Sequence, residues 1–138
     1  VNLPQEEAAG LRQTLTAEGI DLVSLIAPTT ADQRAKEIVA TSSGFLYYVS
    51  LKGTTGSSAI AIEEVIERTS FLQTLTRVPI CVGFGIKDAE SAAAASTHAD
   101  GVVVGSALVQ LMSECPTPRT AAERLETATA EIRNGLDG

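Results

Sequence analysis

The 138-residue sequence contains no tryptophan, one histidine and one methionine, and its aromatic residues are two tyrosines and three phenylalanines. It lacks the roughly 18 uninterrupted apolar residues that a membrane-spanning helix requires, and its start lacks the basic and then apolar pattern of a secretory signal. We therefore predict a cytoplasmic protein with no membrane association. Because aromatic residues are few and alanines many, the core has to be built from small aliphatic side chains, which suits close packing of helices on a sheet.

Basic side chains are also scarce, with 10 Lys and Arg against 17 Asp and Glu, and the formal net charge is −7. The basic residues are scattered rather than clustered, which argues against binding to nucleic acid. Cys81 and Cys115 have no C-x-x-C partner and no neighbouring histidine. We therefore predict reduced thiols, no disulfide framework and no metal site.

Four apolar runs alternate with segments of helical periodicity. Strands are predicted at residues 21–27, 45–50, 80–83 and 102–104, and the first run is continuous enough to predict a strand covered on both faces. Each gap between strands holds one helix, which is the spacing of consecutive βα units and predicts a parallel sheet. No linker interrupts the pattern, so residues 1–138 are predicted to form a single domain.

Several residues predict where helices begin and end. Pro4 suits the first helical position and Gly19 the end of the same helix. The segments 30–33 and 120–123 have the spacing of capping boxes, starting a second helix over about 31–41 and a terminal helix that ends near Gly135. A third helix is predicted to end near Leu75, and an alanine-rich fourth over about 88–97.

Glycine turns follow three of the predicted strands, at residues 53–56, 83–85 and 105–106. The carboxyl ends of parallel strands are where ligands bind in α/β proteins, and glycine lets backbone N–H groups approach a ligand closely. Ser106 opens a helix and offers a hydroxyl beside the positive end of the helix dipole. Each turn alone has a structural explanation in turn geometry; together they predict an anion site, which needs few basic side chains. A dinucleotide fingerprint is absent because position 88 is Asp.

Candidate acid–base groups are few. His98 lies near a predicted helix end and Asp100 at the sheet edge opposite the glycine turns, so a structural role is favoured for both. Tyr47 and Tyr48 alternate across one strand, so that one faces the interior of the sheet and the other the helices. Two interpretations of these tyrosines remain open: they pack in the core, or they line a pocket. No catalytic pair emerges from these residues.

Six segments in order resemble the tryptophan synthase alpha chain. They are Asn-Leu-Pro-Gln-Glu-Glu at 2–7, Leu-Ile-Ala-Pro-Thr at 25–29, Gly-Phe-Leu-Tyr-Tyr-Val-Ser at 44–50, Gly-Thr-Thr-Gly at 53–56, Val-Gly-Phe-Gly-Ile at 82–86 and Asp-Gly-Val-Val-Val-Gly-Ser-Ala at 100–107. The resemblance implies an α/β fold: the C-terminal half of a TIM (βα)8 barrel, from a stub of strand 4 to helix 8, with four parallel strands and flanking helices.

The resemblance also implies a lyase that cleaves indole-3-glycerol phosphate to indole and glyceraldehyde 3-phosphate in tryptophan biosynthesis. The enzyme would have no cofactor of its own, and a partner beta chain would hold pyridoxal phosphate. The family's catalytic Glu and Asp belong to its second and third strand regions, so no catalytic residue is expected here and the isolated chain is predicted to be inactive. Asn2 stands where the family usually has Asp, which weakens the expected contact with the beta chain.

The site residues implied by the resemblance fall into three groups. The substrate phosphate is expected on the backbone of four residues, the indole pocket is expected to be lined by three, and one belongs to a loop that closes over the site. These are Gly56, Gly85, Gly105 and Ser106 for phosphate, Leu25, Tyr47 and Phe84 for the pocket, and Thr55 for the loop. The alternative hypothesis is a non-catalytic half-barrel that binds phosphorylated ligands and forms a homodimer, because half a barrel leaves two sheet edges and a concave apolar face.

Overall fold

The computed structural model describes residues 4, 7–49, 58–83 and 85–137, with the backbone alone for 58–62. Four strands alternate with helices along this part of the chain, and two helices follow the last strand. The elements are α1 Ala9–Ala17, β1 Ser24–Ile26, α2 Asp32–Val39, β2 Leu46–Val49, α3 Ser58–Leu75, β3 Ile80–Gly83, α4 Ala89–Ser96, β4 Gly101–Val102, α5 Ser106–Ser113 and α6 Pro118–Asp137.

The four strands form one sheet in the order β1-β2-β3-β4, and every neighbouring pair is parallel. This confirms the predicted parallel sheet. Strand order follows chain order without a switch, which is the arrangement of a barrel wall rather than of a doubly wound sheet. The strands are also in simple register, so that Leu25 lies beside Tyr47, Tyr47 beside Cys81 and Cys81 beside Gly101.

One face of the sheet carries α2 and α3 and holds the main core. Strand side chains alternate between the two faces, and Ile26, Leu46, Tyr48, Ile80 and Val82 are all buried on the helix-covered side. Fully burying an aliphatic side chain of this size stabilises the fold by about 1.5–3 kcal/mol. The helices contribute a matching set of buried residues, Ala35, Ile38, Val39, Val65 and Leu72.

The opposite face of the sheet has no helix on it in the described part of the chain. We call this surface, represented by the row of Leu25, Tyr47 and Cys81, the open face. Leu25 is 43% exposed between two buried neighbours in β1, and Tyr47 and Cys81 are half-buried. The prediction of a first strand covered on both faces was therefore wrong, because apolar composition does not show whether a second layer is present to cover it.

A second core lies between α4 and α6. Ile86, Ala92, Ala95 and Ile132 are buried together there. A Cβ atom at Gly135 would lie 2.3 Å from the carbonyl oxygen of Ala89, so glycine lets α6 pass against the α4 backbone. The terminal helix continues past this contact to Asp137, further than the predicted end near Gly135.

Strands and the first helix are shorter than predicted. Helix α1 starts at Ala9 rather than at Pro4, although the carbonyl of Pro4 accepts bonds from the N–H groups of Glu7 and Ala8. Strand β1 covers three residues of the seven predicted. Strand β4 ends at Val102 instead of residue 104, although the Val103 N–H still donates to the Val82 carbonyl. Strand lengths depend on ladder partners, which periodicity does not reveal.

Both predicted capping boxes were wrong. Ala31 caps α2 without a side-chain bond, because the Thr30 hydroxyl accepts from the Ala27 N–H and closes the preceding turn. Helix α6 begins at Pro118, before Thr120, whose N–H donates to the hydroxyl of Thr117. A box of the same spacing begins α4 instead.

In that α4 box, the Asp88 carboxylate accepts from the Ser91 N–H at 2.9 Å, and the Ser91 hydroxyl accepts from the Asp88 N–H at 3.2 Å. The carboxylate also accepts from the Ser91 hydroxyl at 2.6 Å, and this bond, followed by the one from the Ser91 N–H, holds the pKa of the Asp88 carboxyl below its usual value. Among the helix starts that the structure describes with their caps, that of α4 has the reciprocal side-chain capping.

Candidate functional site at the glycine edge

Two of the predicted phosphate-binding turns lie at the same edge of the sheet. Gly85 follows the end of β3 by two residues and Gly105 follows the end of β4 by three. Because β3 and β4 are parallel neighbours, their carboxyl ends meet at one edge, which we call the glycine edge. Gly85 has a φ of 54°, a conformation that side chains rarely adopt, so glycine is required there by the backbone.

Helix α5 begins at the glycine edge with free backbone donors. Gly105 is its N-cap and has no side chain with which to cap the helix. The bond from the Val109 N–H to the Gly105 carbonyl closes the first turn. The N–H groups of Ser106, Ala107 and Leu108 precede that bond and have no acceptor within the helix, and the helix dipole adds positive potential at the same end. This arrangement suits an oxyanion.

Gly105 faces open space. A Cβ atom built at this position meets no described atom within 4 Å, and the φ of −124° lies outside the left-handed region. Neither a closely packed neighbouring atom among the described residues nor a positive φ therefore explains the glycine at this position. The missing side chain leaves room for a ligand beside the first turn of α5.

Tyr47 lies across β3 on the open face. A Cβ atom at Gly83 would be 2.4 Å from the Tyr47 hydroxyl oxygen, 2.5 Å from Cε2 and 2.8 Å from Cζ. The absence of a side chain at residue 83 therefore lets the phenol ring extend over the end of β3 toward the glycine edge. The sequence placed Gly83 at the end of the third strand and the start of a turn and did not predict this contact. The register of β2 against β3 puts residues 47 and 83 on the same face, and neither strand shows that register by itself.

The predicted pocket residues Leu25 and Tyr47 lie side by side on the open face, in register across β1 and β2. Cys81 continues the row and was not predicted to belong to it. Burial and the carboxylate of Asp100 raise the pKa of the Cys81 thiol. Three predicted site residues, Gly56, Phe84 and Thr55, lie outside the described residues.

The other candidate acid–base groups have structural partners. The Asp100 carboxylate accepts from the Ile80 N–H at 2.8 Å, and the Asp100 N–H donates to the Ile80 carbonyl at 2.9 Å. Asp100 thus holds the amino end of β3, at the sheet edge away from the glycine edge. The N–H of His98 donates to Ala95 as the chain leaves α4. Across the described part of the chain, no group of three or more His, Cys, Asp or Glu side chains is placed to hold a metal ion.

A cleft of about 300 Å³ lies on the helix-covered side, lined mainly by α3. Arg68 occupies it: the guanidinium pairs with Asp32, donates to the Thr30 carbonyl and stacks over the ring of Phe71. The Tyr48 hydroxyl is fully buried beside it and has no hydrogen-bond partner among the described atoms. Burial raises the pKa of Tyr48 from 10.0 to about 12. The Glu64 carboxylate adds to this increase, and the Arg68 guanidinium acts against it.

In the part of the chain that the structure describes, none of the helices has the combination of length and hydropathy that crossing a membrane demands.

Comparison with known proteins gives a consistent result. Residues 1–137 match the family model described as tryptophan synthase alpha chain. The chain is 48% identical over 136 residues to the tryptophan synthase alpha chain of Chromobacterium violaceum, covering 99% of this chain and 52% of the relative. With that of Xylella fastidiosa the identity is 43% over 137 residues, covering 99% and 51%. The chain thus spans about half the length of the relatives it matches.

Solved structures show the same half-length match. The tryptophan synthase A-subunit of Pyrococcus furiosus superposes with a TM-score of 0.80 at 35% identity, over 97% of this chain and 53% of that one. Tryptophan synthase subunit alpha from Campylobacter jejuni gives 0.81 at 27% identity, over 95% and 51%. The four parallel strands with flanking helices are therefore half of a TIM barrel, as predicted. By its sequence and its fold, the chain belongs to the tryptophan synthase alpha chain family.

Proposed function

We propose that this chain supplies the phosphate-binding half of a lyase that cleaves indole-3-glycerol phosphate to indole and glyceraldehyde 3-phosphate. The observation that carries the proposal is the start of α5, where the first N–H groups have no acceptor within the helix and a Cβ atom at Gly105 would meet no described atom within 4 Å. A phosphate dianion bound there is stabilised by N–H donors and by the helix dipole, without a basic side chain. This reconciles an anionic substrate with a net charge of −7.

Each predicted site residue has a role in this proposal. Gly85, Gly105, Ser106 and Gly56 hold the phosphate with backbone groups, and Thr55 belongs to the closing loop. Leu25, Tyr47 and Phe84 line the indole pocket. The described members fit these roles by position: Leu25 and Tyr47 lie on the open face and Gly85, Gly105 and Ser106 at the glycine edge.

We propose that the isolated chain binds the phosphorylated substrate without catalysing its cleavage. The resemblance assigns the general acid–base carboxylates to the second and third strand regions of the barrel, and the chain matches about half of each relative. Without a proton donor and a proton acceptor at the reacting atoms, a factor of about 10²–10⁴ in rate is lost for each missing group.

We also propose that residues 1–138 form one partial-barrel domain in the cytoplasm. The proposed partner is a beta chain that holds pyridoxal phosphate, and this chain is proposed to have no cofactor of its own.

The phosphate site is tested by titrating the purified chain with glycerol phosphate and following backbone amide resonances. We expect shifts confined to residues near 85 and 105–108. Gly105→Asp places a carboxylate where the phosphate binds and should weaken binding about tenfold or more. Gly10→Asp adds the same charge on α1, also in open space, and should leave the affinity unchanged. Equal affinities for the two variants would show that the phosphate binds elsewhere.

Catalysis is tested separately by incubating the chain with indole-3-glycerol phosphate and assaying indole. We expect no release above the uncatalysed rate. Release at an enzymatic rate would contradict the proposed division of labour, because it would require an acid–base pair within this half of the barrel.

A second candidate function is a phosphate-binding module without a role in lyase chemistry. Two observations favour it. Leu25 is exposed, and the carboxylates of Asp88 and Asp100 already accept hydrogen bonds from the backbone, at the start of α4 and of β3. Binding of 3-indolylpropyl phosphate, which carries both the ring and the phosphate, separates the two. A lyase half binds it more tightly than glycerol phosphate because Leu25 and Tyr47 contact the ring, whereas equal affinities favour the module.

A further inference from the structure

Within β3, Cys81 is the first side chain below the glycine edge on the open face. Side chains alternate along a strand, so residues 81 and 83 share that face, and residue 83 is a glycine. The ring of Tyr47 lies over Gly83, where a Cβ atom would collide with it. A ligand that enters from the glycine edge and passes the Tyr47 ring would therefore meet Cys81 as the next side chain of β3.

The thiol of Cys81 leans toward β4. A Cβ atom at Gly101, the register partner of Cys81 on β4, would lie 3.1 Å from the Cys81 Sγ atom. Because Gly101 has no side chain, the sulfur lies over the β4 backbone, while Tyr47 is the register partner on the other side. Cys81 is half-buried in this position. The thiol thus forms a surface between the Tyr47 ring and β4.

The depth of this surface suits a ligand that is anchored at the glycine edge by a phosphate. Cys81 lies two residues before the end of β3, which is about 7 Å down the strand, and Gly85 follows that end by two residues. An aromatic ring joined to a phosphate by a three-carbon chain covers a distance of this order. The far edge of such a ring would reach the level of Cys81.

The thiol also has the right polarity for an apolar ring. Burial and, after it, the carboxylate of Asp100 raise the pKa of the Cys81 thiol, so the thiol is uncharged at neutral pH. A neutral thiol packs as a small hydrophobic group. Residue 81 therefore offers a ring contact surface rather than a charge.

We propose that Cys81 forms the floor of the indole pocket and that the small volume of its side chain sets how large a ring the pocket accepts. The inference rests on the proposed function, because the phosphate at the glycine edge fixes how far the ring reaches. It does not depend on the open face being uncovered. Strands that complete the barrel would enclose the pocket from the opposite side and leave Cys81 at the same depth.

The first test compares two ligands by following the backbone amide resonances of the purified chain. Glycerol phosphate, which has no ring, should shift only resonances near Gly85 and Gly105. 3-Indolylpropyl phosphate should shift these and, in addition, the resonances of Cys81 and Gly101, because an aromatic ring changes the magnetic field at the groups it contacts.

The second test changes the size of residue 81. Cys81→Leu fills the floor and should weaken binding of 3-indolylpropyl phosphate about tenfold or more, while the affinity for glycerol phosphate stays the same. Cys115→Leu is the matched control. It makes the same change in the connection between α5 and α6, away from the open face, and should leave both affinities unchanged.

A third variant avoids overpacking at Gly101. Cys81→Ala removes the sulfur and deepens the pocket. Its preference for a ligand that carries a methyl group on the ring edge farthest from the phosphate, relative to the unmethylated ligand, should rise about fourfold over the parent, the value of one buried methyl group. If Cys81→Leu fails to fold, this ratio decides the question by itself.

The outcomes separate this inference from the proposed function. If neither ligand shifts the resonances near Gly85 and Gly105, the phosphate site is wrong and the inference falls with it. If both ligands bind at the glycine edge but Cys81→Leu and Cys115→Leu have equal effects, the phosphate site stands and Cys81 is not the floor of the pocket. An unchanged methyl preference in Cys81→Ala leads to the same conclusion.

Discussion

The contact between Tyr47 and Gly83 makes a specific prediction about substitution at residue 83. In Gly83→Ala, the new Cβ atom would lie 2.4 Å from the hydroxyl oxygen of Tyr47 and 2.5 Å from Cε2, far inside van der Waals contact. The ring is half-buried rather than enclosed, and the atoms nearest to the new Cβ belong to its outer end, so we expect the ring to move aside. The cost should therefore fall at the lower end of the range for overpacking, about 1 kcal/mol of unfolding free energy.

A double-mutant cycle tests whether the collision is the cause. Tyr47→Ala removes the ring, so Gly83→Ala should cost little in that background, giving a coupling of about 1 kcal/mol. Tyr47→Phe is the matched control. It removes the hydroxyl but leaves the 2.5 Å and 2.8 Å contacts to Cε2 and Cζ, so it should not rescue Gly83→Ala.

Urea unfolding followed by far-ultraviolet circular dichroism measures each free energy in the cycle. Additive effects of Gly83→Ala and Tyr47→Ala would refute the reasoning, as would a rescue by Tyr47→Phe equal to the rescue by Tyr47→Ala. The first result would mean that the ring does not lie over residue 83, and the second that only its hydroxyl matters.

Three further substitutions test the fold. Tyr48→Phe removes a buried hydroxyl that has no partner among the described atoms and should raise the unfolding free energy by about 1 kcal/mol. Because the Tyr48 pKa is raised from 10.0 to about 12, stability should also fall less between pH 10 and 12 in the variant than in the parent. Asp88→Ala loses a capping box and should cost about 1 kcal/mol in urea unfolding, while Gln33→Ala, in a box that does not form, should cost a few tenths. Gly135→Ala should destabilise the protein by about 1–3 kcal/mol, because the new Cβ atom collides with the α4 backbone. Gly10→Ala, in open space within α1, should instead stabilise it by about 0.5–1 kcal/mol. Similar effects of the two substitutions would contradict the close approach of α6 to α4.

The sequence alone determined the class of fold and the place of the glycine edge. Alternating βα segments predict a parallel sheet because a parallel connection needs a crossover, usually a helix. The strand at 80–83 and the third helix's end at Leu75 were predicted from local pattern and confirmed. Glycine turns after strands predict that Gly85 and Gly105 share an edge, because all parallel strands end on the same side.

Tertiary structure decided which surfaces are covered and which side chains meet. Capping boxes at 30–33 and 120–123 had the right spacing, yet Thr30 closes a turn and the terminal helix starts before Thr120, because hydroxyls bond to whichever backbone donor the fold brings near. The exposure of Leu25 depends on a layer that the described chain does not provide. The approach of Tyr47 to Gly83 depends on strand register. Periodicity specifies how a segment folds locally, whereas burial and close contact depend on the partner that packs against it.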